Sequence, residues 1–484
     1  VRVLFVTPEC APLIKIGGLG DVSAALPVAL RALDIDVRVL LPGYAPVMSR
    51  VGAPAPLASL EILGHQVRLL DARLASGVPL IVLDCPALFQ RSGGPYQDDA
   101  GVDWPDNALR FGVLSRTAAM LGCASSPLGW QPDIVHLNDW PAALAAAYLH
   151  YEHGPRSTSI VTIHNLAFQG NFEPGVLQHL RLPAESYAPE GLEFHGRVSF
   201  LKAGLHYAQA VTTVSPTYAQ EIQHEATGAG MHGVLRHRSL ALTGILNGID
   251  TNEWDPAADP WLPAHYSGET LARKADVKRA LASRLGLTAI SPAVPLLGFV
   301  GRLTHQKGSD LLVAAAPDLL AMNTRLVVLG SGTREQENAL RALADRYPGT
   351  VSIAIGFDES LAHLIEGGAD LFIMPSRFEP CGLNQMYSQR YGTPPVAHAT
   401  GGLVDTIVDC TEQTLATGTA TGFLFRGPSA GALTAAVERA LAVYRTPDRW
   451  RSLQLSGMAR DFSWTRPALQ YAALYRQLAA CDRD

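Results

Sequence analysis

The 484-residue sequence has few cysteines, little charge and no long apolar run. Its six cysteines, Cys10, Cys85, Cys123, Cys381, Cys410 and Cys481, are far apart and make no CxxC pair or zinc-ligand spacing. That excludes a disulfide framework and a zinc module, and it suits a reducing compartment. No stretch approaches the roughly 18–20 uninterrupted apolar residues of a membrane-spanning helix. The first apolar strand begins at Val1, so neither a membrane span nor a targeting peptide is expected. Charged residues make up only 17% of the chain, and 38 basic against 44 acidic residues leave a net charge of −6. Lys and Arg are scattered rather than gathered in a run, so nucleic acid is not an expected partner.

What the chain has in quantity is apolar residues, 48% of the total, enough for large cores. Its length fits two domains of roughly 200–250 residues. Short β-branched runs alternate with helical patterns in the first half: VRVLFVTPE from Val1, DVRVLLPGY from Asp36, PLIVLDCP from Pro79, DIVHLND from Asp133, SIVTIHN from Ser159 and AVTTVSP from Ala210. A second series follows Asn247: PLLGFVGRL from Pro295, RLVVLGSG from Arg325, VSIAIGF from Val351, DLFIMPS from Asp370, PPVAHATGG from Pro394 and GFLF from Gly422. Such alternation predicts an α/β fold of two doubly wound, Rossmann-like domains with parallel sheets. The expected boundaries are 1–245 and 246–460, followed by a terminal helix within 461–484 built on RPALQYAALYRQLAA.

In doubly wound folds ligands bind beyond the carboxyl ends of the strands, where loops lead into helix N-termini. KIGGLGD, Lys15 to Asp21, follows the first strand. It is neither GxGxxG nor a P-loop, which argues against a dinucleotide oxidoreductase or an ordinary ATPase. Gly17 and Gly18 let backbone N–H groups approach an anion; an isolated Gly-Gly more often makes only a tight turn, but Lys15 adds a positive charge and the strand–loop–helix context favours a phosphate-bearing ligand. In GRLTHQKG, Gly301 to Gly308, Arg302 and Lys307 leave a strand end together and can neutralise a departing diphosphate. In PSRFEPCGLNQMYSQRYG and ATGGLVDT, Glu379 can accept hydrogen bonds from sugar hydroxyls, and backbone groups of Cys381 to Leu383 and Gly401 to Leu403 can hold sugar and phosphate oxygens. His164 ends the run SIVTIHN, where an imidazole can donate to a sugar oxygen or sit satisfied in the core. Asp139, beside Trp140, is placed equally well to cap the helix that follows.

Taken in order, KIGGLGD, HNLAFQG, ILNGID, GRLTHQKG, SRFEPCGL and TGGLVDT resemble the bacterial glycogen synthase and plant starch synthase family over nearly the whole chain. The resemblance implies a retaining glycosyltransferase of the GT-B architecture, whose two Rossmann-like domains face an interdomain cleft. Its activity would be transfer of glucose from ADP-glucose to the non-reducing end of an α-1,4-glucan, in a bacterial cytoplasm. It implies donor contacts by Lys15, Gly17, Gly18, Asn247, Phe357, Cys381, Gly382, Leu383, Thr400, Gly401 and Gly402. Catalytic roles are implied for Arg302, Lys307, Glu379, His164 and Asp139, and the terminal helix would pack back on the first domain. No metal or other cofactor is expected, because the cations do the charge neutralisation.

The chain departs from the family pattern in HLND at His136 to Asp139, in Asn384 where Thr is usual, and in Phe357 where Tyr is common. The second Glu of the wider group of retaining enzymes, eight positions after the first, is here Tyr387. Three alternatives stay open: a UDP-glucose-using glucan synthase, a catalytically inactive glycan-binding homologue, and a glucan phosphorylase. The last needs a pyridoxal phosphate lysine motif that is not seen.

Overall fold

The computed structural model describes residues 1–481. The chain forms two compact units, one of Val1–Gly248 together with the segment from Trp464 onward, the other of Ile249–Ser463. No helix among the described residues is long and apolar enough to cross a membrane.

The first unit holds β1 (Arg2–Val6), β2 (Asp36–Pro42), β3 (Ala55–Ile62), β4 (His65–Arg73), β5 (Pro79–Asp84), β6 (Ile134–Asn138) and β7 (Thr158–Ile163). After a small antiparallel sheet of β8 (Asn171–Phe172), β9 (Glu193–Phe194) and β10 (Arg197–Ser199) come β11 (Ala210–Thr213) and β12 (Leu242–Gly244). The main sheet has nine strands in the order β12-β11-β7-β6-β1-β2-β5-β4-β3. Its central strands are buried because helices cover both faces; β6 is buried at every position, its polar His136 and Asn138 included.

All six strands expected in this half form, but the sheet is not wholly parallel. β3 and β4 add an antiparallel hairpin at one edge. Its two-residue turn, Leu63–Gly64, has φ of 49° and 82°, the left-handed pair that matches the twist of hairpin strands. Leucine is a rare occupant of that position, so the turn carries none of the usual Asn-Gly signal.

The second unit holds β13 (Leu296–Val300), β14 (Arg325–Gly330), β15 (Val351–Ile355), β16 (Leu371–Met374), β17 (Pro395–His398) and β18 (Phe423–Phe425). They form a six-stranded parallel sheet in the order β15-β14-β13-β16-β17-β18. Counted from its first strand this is 3-2-1-4-5-6, the dinucleotide-fold order, whose direction of winding reverses between the first and fourth strands. The reversal lies between β13 and β16 here, and between β1 and β6 in the first unit.

The terminal helix, Thr465–Cys481, belongs to the first unit and lies against the helix Gly18–Arg31 and β6. Tyr475 Oη is 2.6 Å from Nδ1 of His136, whose Nε2 is 2.6 Å from Thr162 Oγ1, and Thr162 in turn meets Thr212. Burial pushes the His136 imidazole down to about 3, so this fully enclosed ring is a neutral connector of helix and sheet.

Candidate active site

In the second unit the loops that follow β13 and β16 flank the reversal point, and they carry Arg302, Lys307, Glu379, Cys381, Gly382 and Leu383. Arg377 ties the loops together: its N–H donates to Gln306 O at 2.8 Å, and its guanidinium holds both carboxylate oxygens of Asp310 at 2.8 and 2.6 Å. That fork keeps the Asp310 carboxyl below the usual range. The pairing sets Lys307 Nζ 2.6 Å from Glu379 Oε2, which also accepts from Ser376 Oγ at 2.9 Å. Glu379 is 4% exposed and Lys307 is half-buried, so the pair is largely withdrawn from water. Arg302 sits on the same loop, exposed, with Nη2 3.1 Å from Gln306 Oε1.

Behind Glu379 two backbone segments touch. The N–H of Gly402 donates to Glu379 O at 3.1 Å and Pro380 O at 3.2 Å. A Cβ at Gly402 would fall 2.1 Å from Cys381 O, and one at Gly401, whose φ is 46°, would fall 2.0 Å from Glu379 O. No side chain fits at either position, so the short helix Gly401–Thr406 begins flush against the Glu379 loop. Thr400 is its N-cap residue, without a side-chain cap bond, and is buried. Gln385 supports the far side, donating to Cys381 O at 3.0 Å and Gly382 O at 2.9 Å. Cys381 is buried as a wall residue, and Leu383 precedes the helix Asn384–Arg390. The unusual Asn384 donates to Val300 O at 2.7 Å and so fastens that helix to the end of β13. Phe357, after β15, is 79% exposed.

The first unit gathers a second set around β1, β6 and β7. Asp139 follows β6 with φ of 55°. Its carboxylate does not cap the helix Asp139–Ala143, where Asn138 holds the N-cap position without a side-chain cap bond. Instead Oδ1 accepts the N–H of His164 at 2.7 Å and of Asn165 at 3.4 Å, since the left-handed backbone turns it toward the end of β7. His164 Nε2 is 2.9 Å from Asn138 Oδ1. Burial pushes the Asp139 carboxyl up to about 7 and the His164 imidazole down to about 3, so His164 is neutral at physiological pH. Asn247 is buried, and its Oδ1 has no hydrogen-bond partner.

The glycine loop differs from expectation in one respect. Its N–H groups are not all open to an incoming anion, because buried Glu9 already accepts those of Ile16 at 2.6 Å and Gly17 at 3.0 Å. The other Glu9 oxygen accepts from Tyr96 Oη at 2.6 Å. Burial holds this carboxyl above its ordinary range, with nearby Asp21 adding to the effect. Gly18 is exposed at the start of its helix, and Lys15 pairs with Asp21 at 2.7 Å on the surface. Glu9, Tyr96, Asn138 and Ser376 were not singled out from sequence. Glu9 and Ser376 each lie within three residues of the carboxyl end of a buried strand, which is the one local signal that marks them.

Comparison with known proteins adds to this geometry. A family model described as the starch synthase catalytic domain matches residues 2–237, and one described as glycosyl transferases group 1 matches residues 288–452. The glycogen synthase of Nitrosomonas eutropha is 52% identical over 100% of this chain and 97% of its own length. That of Aromatoleum aromaticum is 55% identical over 99% of this chain and 97% of its own. Among solved structures, the catalytic domain of starch synthase IV from Arabidopsis thaliana, bound to ADP and acarbose, matches with a TM-score of 0.90 at 33% identity over 99% of both chains. Sucrose-phosphate synthase from Thermosynechococcus elongatus, 20% identical with a TM-score of 0.61 over 99% of both chains, shares the fold. The chain belongs to the glycogen synthase and starch synthase family and is a glycosyltransferase of the GT-B fold.

Proposed function

We propose that the protein elongates an α-1,4-glucan, glycogen or a maltooligosaccharide, by transferring glucose from ADP-glucose to its non-reducing end. The observation that carries this is the Lys307–Glu379 pair, 2.6 Å apart at the carboxyl edge of the second sheet, beside a backbone junction too tight for any side chain. A carboxylate that can accept from sugar hydroxyls then lies next to a cation that can meet a diphosphate.

In the transfer, the bond between the anomeric carbon and the diphosphate oxygen breaks and one to the acceptor hydroxyl forms on the same face. The proton of that hydroxyl passes to the departing phosphate. Negative charge grows on the diphosphate as the bond breaks, and Arg302 and Lys307 offset it where it develops. Lys15 and the exposed start of the helix at Gly18 add to phosphate binding. Glu379 and the backbone from Cys381 to Leu383 orient the glucose, with Thr400 and Gly401 holding donor oxygens and Gly402, whose N–H is given to Glu379 O and Pro380 O, shaping the junction behind them. His164, kept neutral, gives its Nε2–H to Asn138 Oδ1 and can accept from a sugar hydroxyl at Nδ1, and the unsatisfied Oδ1 of Asn247 can accept from one. The exposed Phe357 ring offers a stacking face for adenine. These groups neutralise the leaving charge without a metal, so none is required for transfer, and the enzyme acts in the bacterial cytoplasm.

The test is incorporation of labelled glucose into glycogen from ADP-glucose and from UDP-glucose in parallel, with EDTA present, for wild type and Lys307→Ala. Elongation from ADP-glucose that survives EDTA and collapses in the variant is expected. Preference for UDP-glucose would transfer the donor assignment, and no transfer from either donor would favour a glycan-binding protein.

A further inference from the structure

A second constellation lies in the second unit, away from the Lys307 and Glu379 loops in sequence. Asp259 is fully buried and satisfied: Oδ1 accepts from the Trp261 N–H at 2.8 Å, and Oδ2 meets Tyr391 Oη at 2.5 Å and His363 Nδ1 at 2.8 Å. A carboxylate at Nδ1 holds a proton there, so Nε2 is the nitrogen left to meet a cation. The ring cannot turn away, because Trp254 stacks flat on it with centroids 3.8 Å apart and planes 10° apart, and Tyr387 stacks on the other face of Trp254 at 3.7 Å.

His363 is 1% exposed, and its Nε2 has no hydrogen-bond partner. That nitrogen points at carboxylates: Glu359 Oε1 is 3.7 Å away. Glu359 and His363 are four residues apart on the helix Glu359–Gly368 and so share a face, the spacing at which helical side chains grip one ion. Glu253, exposed, closes the group, and the three residues bring one ligand atom each within 4.8 Å of one another.

We propose that Glu253, Glu359 and His363 bind one divalent transition-metal cation, with zinc the best match to a buried imidazole and two carboxylates. The Asp259–His363 couple is the outer-shell carboxylate–histidine pair that zinc ligands commonly carry. The site is independent of the transfer reaction proposed above. It joins the segment just after Ile249 to the helix Glu359–Gly368. Through the Trp254–Tyr387 stack it also reaches the helix that begins at Asn384, so the cation acts as a staple on the fold.

The experiment uses metal-stripped full-length protein titrated with zinc sulfate by calorimetry, and with cobalt(II) followed by its visible absorption. Wild type is compared with E253Q/E359Q, which keeps the Asp259–His363–Trp254 core intact. One zinc per chain is expected in wild type, with binding weakened at least ~10-fold in the variant and a zinc-dependent rise in Tm that only wild type shows. In wild type, stoichiometric zinc should move the His363 ring-nitrogen resonances. Equal zinc affinity in the two proteins, or unmoved His363 resonances at stoichiometric zinc, would overturn the proposal and leave a protonated imidazole between carboxylates.

Discussion

Lys307 Nζ and Glu379 Oε2 lie 2.6 Å apart, although 72 residues separate them in the chain. Either side chain alone would be an ordinary charge on a loop; together they are an ion pair in which Glu379 has almost no access to water. Replacing Lys307 by Ala should lower kcat by roughly 10²–10³-fold, the usual cost of removing one group that meets developing charge, with a smaller change in the KM for ADP-glucose. Steady-state kinetics on folded variant decides it, and an effect confined to KM would assign Lys307 to ground-state binding.

The junction behind Glu379 gives a steric prediction. Gly402→Ala should destabilise the protein by about 1–3 kcal/mol and depress transfer, since the added methyl would sit 2.1 Å from Cys381 O. Gly233→Ala is the control: nothing lies within 4 Å of its Cβ, it occupies the helix His232–His237, and it should be neutral or stabilising by up to about 1 kcal/mol. Urea unfolding of both variants checks the contrast.

Asp139 should leave a signature in the pH dependence of stability. Its folded carboxyl is raised from the ordinary value of 3.8 to about 7, so the folded state holds a proton that the unfolded state releases. The stabilisation is fully present below about pH 4 and is lost as the pH rises through about 7. Asn tolerates the left-handed backbone at this position, and Asp139→Asn should remove that loss. His164 acts in the opposite sense: lowered from 6.5 to about 3, it destabilises the fold as the pH falls below its ordinary value. Tm measured from pH 4 to 8 for wild type and Asp139→Asn isolates the carboxylate, and parallel curves would show that it does not titrate in this range.

Glu9 braces the glycine loop through the Ile16 and Gly17 N–H groups. Glu9→Ala should loosen that loop and raise the KM for ADP-glucose more than it lowers kcat. The reverse split would place Glu9 in the chemical step.

Phe357 presents an exposed ring. Phe357→Ala should raise the KM for ADP-glucose roughly 5- to 20-fold, the equivalent of about 1–2 kcal/mol of base stacking, and Phe357→Tyr should leave it near wild type. Unchanged KM in Phe357→Ala would remove the ring from the donor site.

Much was settled by local pattern. The twelve apolar β-branched runs were legible because strands buried on both faces need unbroken apolar sequence, and loops that follow such strands are where doubly wound folds bind ligands. Lys15, Lys307 and Glu379 were identifiable on that ground, and Asp139 and His164 through the motif order that places the chain in its family. What only the tertiary structure decided is which of these groups meet. Glu9 against the Gly17 N–H, Asp139 against the end of β7, Lys307 against Glu379, and His363 between Asp259 and Glu359 all join segments distant along the chain or turned by backbone geometry. Such encounters depend on strand order, on left-handed φ values at residues such as Leu63 and Asp139, and on burial. Composition and periodicity describe the faces of single elements and carry none of that information.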